Sequence, residues 1–230
     1  MRVTALIPED LKEDFMNPTT KERQNIMWNS SSKEGYREHW ITQWKKITKH
    51  NTIPKNKVLI TLGGRSYGNK GYSLASWSEL SFLLNKKVIK PTQYYSIEEN
   101  RFIQMGNSKI KQGNWIYGDF VEELEELITT DKLNPAIINY DCCATPRITH
   151  DDLGKILLIL NTYNIHDVLV CYNVLLHAHY IVETVDSAKD TLLDNYWIAS
   201  SLTKSWRILK PYEYIGGTKT PMCCFMFFRK

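Results

Sequence analysis

The sequence predicts an α/β fold: a doubly wound, mostly parallel sheet closed by a C-terminal antiparallel hairpin and preceded by a helical N-terminal arm. Two observations carry this. Between Lys57 and Leu176, apolar runs such as KVLITL, PAIINYD and DVLVCYNVLL alternate with stretches of helical period. Continuous rather than alternating apolar strands, separated by helices, belong to a parallel sheet covered on both faces. From Trp206 to Lys230 the texture changes to two strand-like segments around Gly216-Gly217, a hairpin signal.

The elements follow in order. Residues 1–56 are rich in Lys, Glu, Asn, Ser and Thr, with turn signals at Asn17-Pro18, Asn29–Ser32 and Ile53-Pro54. Within them Tyr36, Trp40, Trp44 and Ile47 recur at helical spacing, which predicts a helix over 33–49. The expected arrangement is an arm, 1–56, that docks this aromatic stripe on a body spanning 57–230. Arg37, Lys45, Lys46 and Lys49 lie on the other faces and suit a nucleic acid or a protein partner. The body opens with a strand over 57–62 that ends at Gly63-Gly64, then a helix over 77–84. A short strand in QYYSIEEN closes on Glu98, and another at 114–117 runs into Gly118-Asp119. VEELEELI (121–128) is an amphipathic helix with its acidic start where a helix N-terminus favours it. A strand over 135–141 ends on Asp141, followed by a helix over 150–161, a strand over 167–176 and one helix over 187–204.

Composition narrows the function classes. Among 230 residues, Lys plus Arg total 29 against 25 for Asp plus Glu, a net charge of +4 that permits a polyanionic partner without demanding one. No apolar run approaches the roughly 20 residues of a membrane helix. Glu9 and Asp10 interrupt the N-terminus before a signal-like stretch develops, so an intracellular, cytoplasmic chain is expected. The abundance of Lys, Asn and Ile points to an AT-rich genome, such as that of a virus, whose host cell would then hold the protein. Cys142, Cys143, Cys171, Cys223 and Cys224 form no CxxC spacing and sit in strand-like contexts, so reduced core thiols are expected. His177 and His179 make an HxH pair without a third ligand at suitable spacing, so no metal site is expected.

In a doubly wound sheet, ligands bind beyond the carboxyl ends of the strands. The residues there are Gly63-Gly64, Glu98, Asp119 and Asp141. Glycines let a turn pass close to a ligand, and a strand-end carboxylate can accept from two ribose hydroxyls or an exocyclic amine. This order, carried by TLGG, SIEEN, YGDF and INYD with the terminal TPMCCFMFFRK, resembles the class I S-adenosylmethionine-dependent methyltransferases. The resemblance covers Lys57 to Lys230. It implies S-adenosylmethionine as cofactor, with Gly63 and Gly64 along its methionine and ribose. It further implies Glu98 on the ribose hydroxyls, Asp119 and Phe120 bracketing the adenine, and Asp141 near the sulfonium. Two departures stand out: the first loop reads GGRSYGNKG rather than GxGxG, and 35 residues separate Gly63 from Glu98.

The same resemblance directs attention to the stretch Asn139–Pro146, where amino-directed nucleic-acid methyltransferases hold the target amine, and makes Asn139 a second catalytic candidate. The Pro-Pro pair of that motif is missing. A pyrimidine-carbon mechanism would need a thiolate, for which Cys142 or Cys143 is placed, although a buried structural thiol suits both better. The acceptor expected from the basic and aromatic segments is DNA or RNA. Arg65 and Lys70 of the first loop, with Lys45 and Lys46 of the arm, are the candidates for its phosphates. The competing class is a catalytically silent binding or assembly module on the same scaffold. Nicotinamide chemistry fits less well because GxGxxG is absent.

Overall fold

The computed structural model describes residues 31–230 apart from 69–71, 77, 143, 179–180, 203 and 216–219. The chain enters through helix α1 (Ser31–Thr48) and strand β1 (Val58–Leu62), then α2 (Glu79–Asn85), β2 (Tyr94–Glu98), α3 (Arg101–Asn107) and β3 (Asn114–Tyr117). It continues with α4 (Phe120–Thr129), β4 (Pro135–Asp141), α5 (Pro146–Thr162) and β5 (Val168–Leu175). A small pair, β6 (His177–Ala178) and β7 (Ile181–Val182), leads to α6 (Val185–Leu193) and α7 (Tyr196–Ser201). The last strands are β8 (Trp206–Ile208), β9 (Tyr212–Ile215) and β10 (Pro221–Arg229).

The main sheet runs β3-β2-β1-β4-β5-β10-β8, with β9 also paired to β10. β1 to β5 are mutually parallel, whereas β10 is antiparallel to β5, Phe225 facing Tyr172. This is the fold class that the alternating pattern and the terminal hairpin predict. The strand order reverses between β1 and β4, which opens a crevice at their carboxyl ends.

Side-chain parity explains why the strands read as continuous apolar runs. Val168, Val170, Tyr172 and Val174 of β5 join one core with α4 to α7, while Leu169 and Cys171 join the other. The second core holds Tyr36, Trp40, Ile41 and Trp44 of α1 together with Leu80 and Leu83 of α2. Trp40 and Trp44 are 0% and 1% exposed. α1 is thus a covering layer of the sheet, stacked on the last strands through Tyr36–Tyr214 (5.3 Å) and His39–Tyr212 (4.4 Å).

Several expected boundaries move, each for a local reason. α5 begins at Pro146 rather than His150, since a proline at the first helical position loses no hydrogen bond. The helix expected over 187–204 is two helices. Thr184 caps α6 by accepting from the Ser187 N–H, and Asn195 restarts the chain as α7 by accepting from the Ile198 N–H. The first arm of the terminal hairpin is split into β8 and β9 around Pro211, which has no N–H to offer a ladder. Its turn at Gly216-Gly217 lies outside the described residues, as do Trp77, Cys143 and His179.

Candidate functional site

The loop leaving β1 is shaped by a steric demand at Gly63. Its N–H donates to the Ile97 carbonyl (2.5 Å), and an added Cβ would lie 2.6 Å from that oxygen and 2.7 Å from the Glu98 Cβ. Only glycine fits against β2. An added Cβ at Gly64, by contrast, would meet nothing within 4 Å, so this turn presents bare backbone to open space. The chain then curls back on itself, with Ala75 N–H donating to the Ser66 carbonyl (2.6 Å) and a bridge between Tyr67 and Leu74. Asn107, buried at the end of α3, ties the turn down: its Oδ1 accepts from Ser66 N–H (2.8 Å) and its Nδ2 donates to the Gly64 carbonyl (2.7 Å). A side-chain clamp from α3 therefore holds a loop whose later glycines are displaced from the usual pattern.

Glu98 ends β2 beside this turn. Its Oε1 accepts from the Asn100 N–H (2.8 Å), and burial pushes its carboxyl above the ordinary value despite that bond. Asp119 is exposed and caps α4, its Oδ1 accepting from Val121 N–H (2.8 Å) and Glu122 N–H (3.1 Å). The ring of Phe120, the next residue, is buried in the core 5.0 Å from the Tyr140 ring.

Asn139 and Asp141 share a parity along β4 and face α1, where they enter a network of buried polar groups. Lys33 donates to Asp141 Oδ2 at 2.6 Å, and Asn173 Nδ2 donates to Asp141 Oδ1 at 2.5 Å. Tyr36 donates to Asn139 Oδ1, while Asn139 Nδ2 donates to Glu79 Oε2 (2.6 Å). Arg37 lies 3.9 Å from Glu79. Two cations thus face two carboxylates, as a buried charge set requires. Burial opposes ionisation of Asp141, yet the adjacent Lys33 ammonium, helped by Asn173 and Arg37, holds its carboxyl below the ordinary value. Burial instead raises Glu79, and Arg37 offsets this only in part. The crevice beside these groups is open to solvent, has a volume of about 70 Å³ and is lined by Gly63, Gly64, Arg65, Asn139, Asp141 and the two α1 cations.

The basic candidates do not come together. Arg65 lines the crevice with its guanidinium 4.6 Å above the Tyr67 ring, and nearby Lys109 sits 4.1 Å above Tyr72. Lys45 and Lys46 occupy the last turn of α1, away from the turn that carries Lys33. Twelve residues of helix place Lys45 about 18 Å along the axis from Lys33. Their neighbours Trp44 and Ile47 line a cavity with Lys57 and Asp167, which precede β1 and β5, so this is the opposite edge of the sheet. Lys70 lies outside the described residues. Burial pushes the Cys142 thiol up to about 11, the reverse of what a thiolate nucleophile needs. Among the described residues no group of three or more potential ligands could hold a metal, and no helix is long and apolar enough to cross a membrane.

Sequence reasoning missed Lys33, Glu79, Asn107 and Asn173 as members of this region. Tyr36 and Arg37 were visible only as parts of an amphipathic helix.

No protein-family model matches the chain, and no curated protein matches it in sequence. Solved structures do match. An S-adenosylmethionine-dependent methyltransferase from Clostridium acetobutylicum ATCC 824 superposes with a TM-score of 0.52 at 9% identity, over 94% of this chain and 99% of that one. The plantazolicin methyltransferase BpumL, solved with SAH, gives 0.50 at 8% identity over 95% and 93%. Sp1610 of Streptococcus pneumoniae, a candidate tRNA (m1A22) methyltransferase, gives 0.44 at 12% identity, and the chain spans 65% of its length. The first two likenesses show the fold, that of the class I S-adenosylmethionine-dependent methyltransferases.

Proposed function

We propose that the chain binds S-adenosylmethionine along the carboxyl edge of β1 to β3 and transfers its methyl group to a nucleic acid. One observation carries this reading. Along that edge stand, in order, a turn of bare backbone at Gly63-Gly64, a carboxylate ending β2 and a carboxylate opening α4, with Asp141 across the crevice on β4. The donor set fits the cofactor. Glu98 retains acceptor capacity for ribose hydroxyls, and Asp119 has a second oxygen for an exocyclic amine.

The bound cofactor supplies an electrophilic methyl carried on a sulfonium. Asp141, kept ionised beside Lys33, can accept a hydrogen bond from an acceptor amine and orient its lone pair. Asn139 is held by Tyr36 and Glu79, which fixes the register of this end of β4. No protein nucleophile is called for, in keeping with the protonated Cys142. Nucleic acid as acceptor is supported by Arg65, which places a cation on the lining of the crevice.

The test is transfer of labelled methyl groups to single- and double-stranded DNA and RNA. Incorporation into one of them is expected. Asp141→Asn should keep S-adenosylhomocysteine affinity within about threefold and lose at least tenfold in rate, since its loss removes transition-state contacts rather than cofactor contacts. An unchanged rate would remove Asp141 from the site, and labelling of protein or small molecules alone would remove the nucleic acid.

One observation favours a second reading, a binding module without turnover: Asn139 and Asp141 already have partners inside the protein. Cofactor binding with no transfer to any acceptor would be its signature.

A further inference from the structure

The outer ridge of α5 is only partly polar. Of the nine large apolar side chains exposed among the described residues, four stand on α5 and on α7, which packs beside it: Ile148 (70%), Leu158, Tyr196 (75%) and Trp197. Exposed apolar side chains are ordinary when scattered, whereas a cluster marks an interaction surface. α7 is pressed against α5 at Gly154, where an added Cβ would lie 2.6 Å from the Trp197 Cβ, so Trp197 flanks the ridge. Along α5 the exposed residues Ile148, Asp151, Lys155, Leu158 and Thr162 recur at alternating steps of three and four, the seam spacing of paired helices. The buried face of the same helix is already spent on the core through Leu153, Ile156, Leu157 and Leu160.

We propose that this ridge is the two-fold interface of a homodimer, in which α5 packs antiparallel to α5 of a second copy. The order of residues along the ridge selects that occupant. A two-fold contact is isologous, so its surface must complement itself when reversed. An antiparallel copy centred midway between Asp151 and Lys155 sets Ile148 against the partner's Leu158 and Asp151 against the partner's Lys155, each pair occurring twice. A parallel copy would instead set Asp151 on Asp151 and Lys155 on Lys155, and like charges face to face cost affinity. Asp151 accepts from Asn195 Nδ2 (2.9 Å) and lies 3.1 Å from His150 Nδ1, both through Oδ1, which leaves Oδ2 for the second copy. Lys155 forms no salt bridge among the described residues. Tyr196 and Trp197, in edge contact at 5.7 Å, stand beside the seam and supply the aromatic area that anchors protein interfaces. Ile148 and Leu158 are about 15 Å apart along the axis, a short seam, so the dimer should be reversible, with a Kd of about 1–100 μM. The interface shares no residue with the lining of the methyl-donor crevice and does not depend on that assignment.

Sedimentation velocity of the full chain over about 1–300 μM measures the equilibrium, and a shift from monomer to dimer is expected within that range. Asp151→Lys should weaken dimerisation at least about tenfold, and so should Lys155→Asp, because each sets like charges together twice across the seam. Asp151→Lys/Lys155→Asp should return to within about threefold of the parent, since the reversed pairs again attract. This double variant lacks the same bond to Asn195 as Asp151→Lys, so its recovery separates the interface from the loss of an internal contact. Ile148→Lys/Leu158→Lys alters two exposed side chains and should be monomeric throughout, with the unfolding midpoint of the parent monomer. The proposal is overturned if the parent stays monomeric over the whole range, which would give the ridge to a different protein. It is equally overturned if Ile148→Lys/Leu158→Lys still dimerises, or if the double charge reversal is no better than either single one.

Discussion

Trp40→Ala or Trp44→Ala should each destabilise the protein by about 3–5 kcal/mol, the range for truncating a large buried aromatic. Both indoles are essentially inaccessible and share a core with Leu59 of β1, Ile137 of β4 and Leu169 of β5. Removing either leaves a void at the centre of the layer that α1 forms over the sheet. A domain of this size has about 5–15 kcal/mol in total, so one truncation would consume a large share. Lys46→Ala, at an exposed position on the same helix, should change stability by no more than about 0.5 kcal/mol. Denaturant unfolding monitored by circular dichroism measures both. Loss below 1 kcal/mol for Trp40→Ala would mean that α1 is an appendage rather than a layer of the core.

Lys33→Met is the second large effect. It strips the counter-charge from Asp141, whose side chain is 15% exposed, and breaking one side of a buried pair costs about 3–5 kcal/mol. The pH dependence gives a sharper signature than the loss itself. In the parent, the folded Asp141 carboxyl titrates below its ordinary value, so its contribution is fully present at neutral pH and is lost as pH falls through that depressed value. Without Lys33, burial dominates and the folded value rises above the unfolded one. The variant should then gain stability as acid protonates Asp141, and its deficit should narrow below about pH 5. Glu79 adds a trend of the same sign in both proteins, because burial raises its carboxyl and ionisation costs stability at neutral pH. Lys33→Met/Asp141→Asn should recover much of the neutral-pH loss by leaving no charge to strand. A deficit that stays constant from pH 4 to 8 would show that the pair is not electrostatically linked.

How much of this was legible in the sequence depended on range. β1, β4 and β5 declared themselves because both faces are covered, which leaves KVLITL, PAIINYD and DVLVCYNVLL apolar throughout. Gly63, Glu98 and Asp141 were legible as strand ends, since termination is a local event. The pairing of Lys33 with Asp141 spans 108 positions and leaves no periodic trace in either segment. Asn107 looks like any helix-terminal polar residue until the β1 loop folds onto it. Lys45 and Lys46 were grouped with Arg65 by charge alone. The helix that carries them runs from one edge of the sheet to the other and delivers them to the wrong end for the crevice. The break before α7 was written in Asn195, whose capping role competes with helix continuation across 187–204 and here prevails.

Calorimetric titration of the parent and of Glu98→Ala with S-adenosylhomocysteine tests the proposed donor site most directly. Glu98 ends β2 directly against Gly63 of the first turn. The expected result is saturable binding by the parent and a loss of about 2–4 kcal/mol in Glu98→Ala, corresponding to about 30- to 1000-fold in affinity, as two charge-assisted hydrogen bonds disappear. A parent that gives no heat or displacement signal, or a Glu98→Ala variant that binds as tightly as the parent, would contradict it.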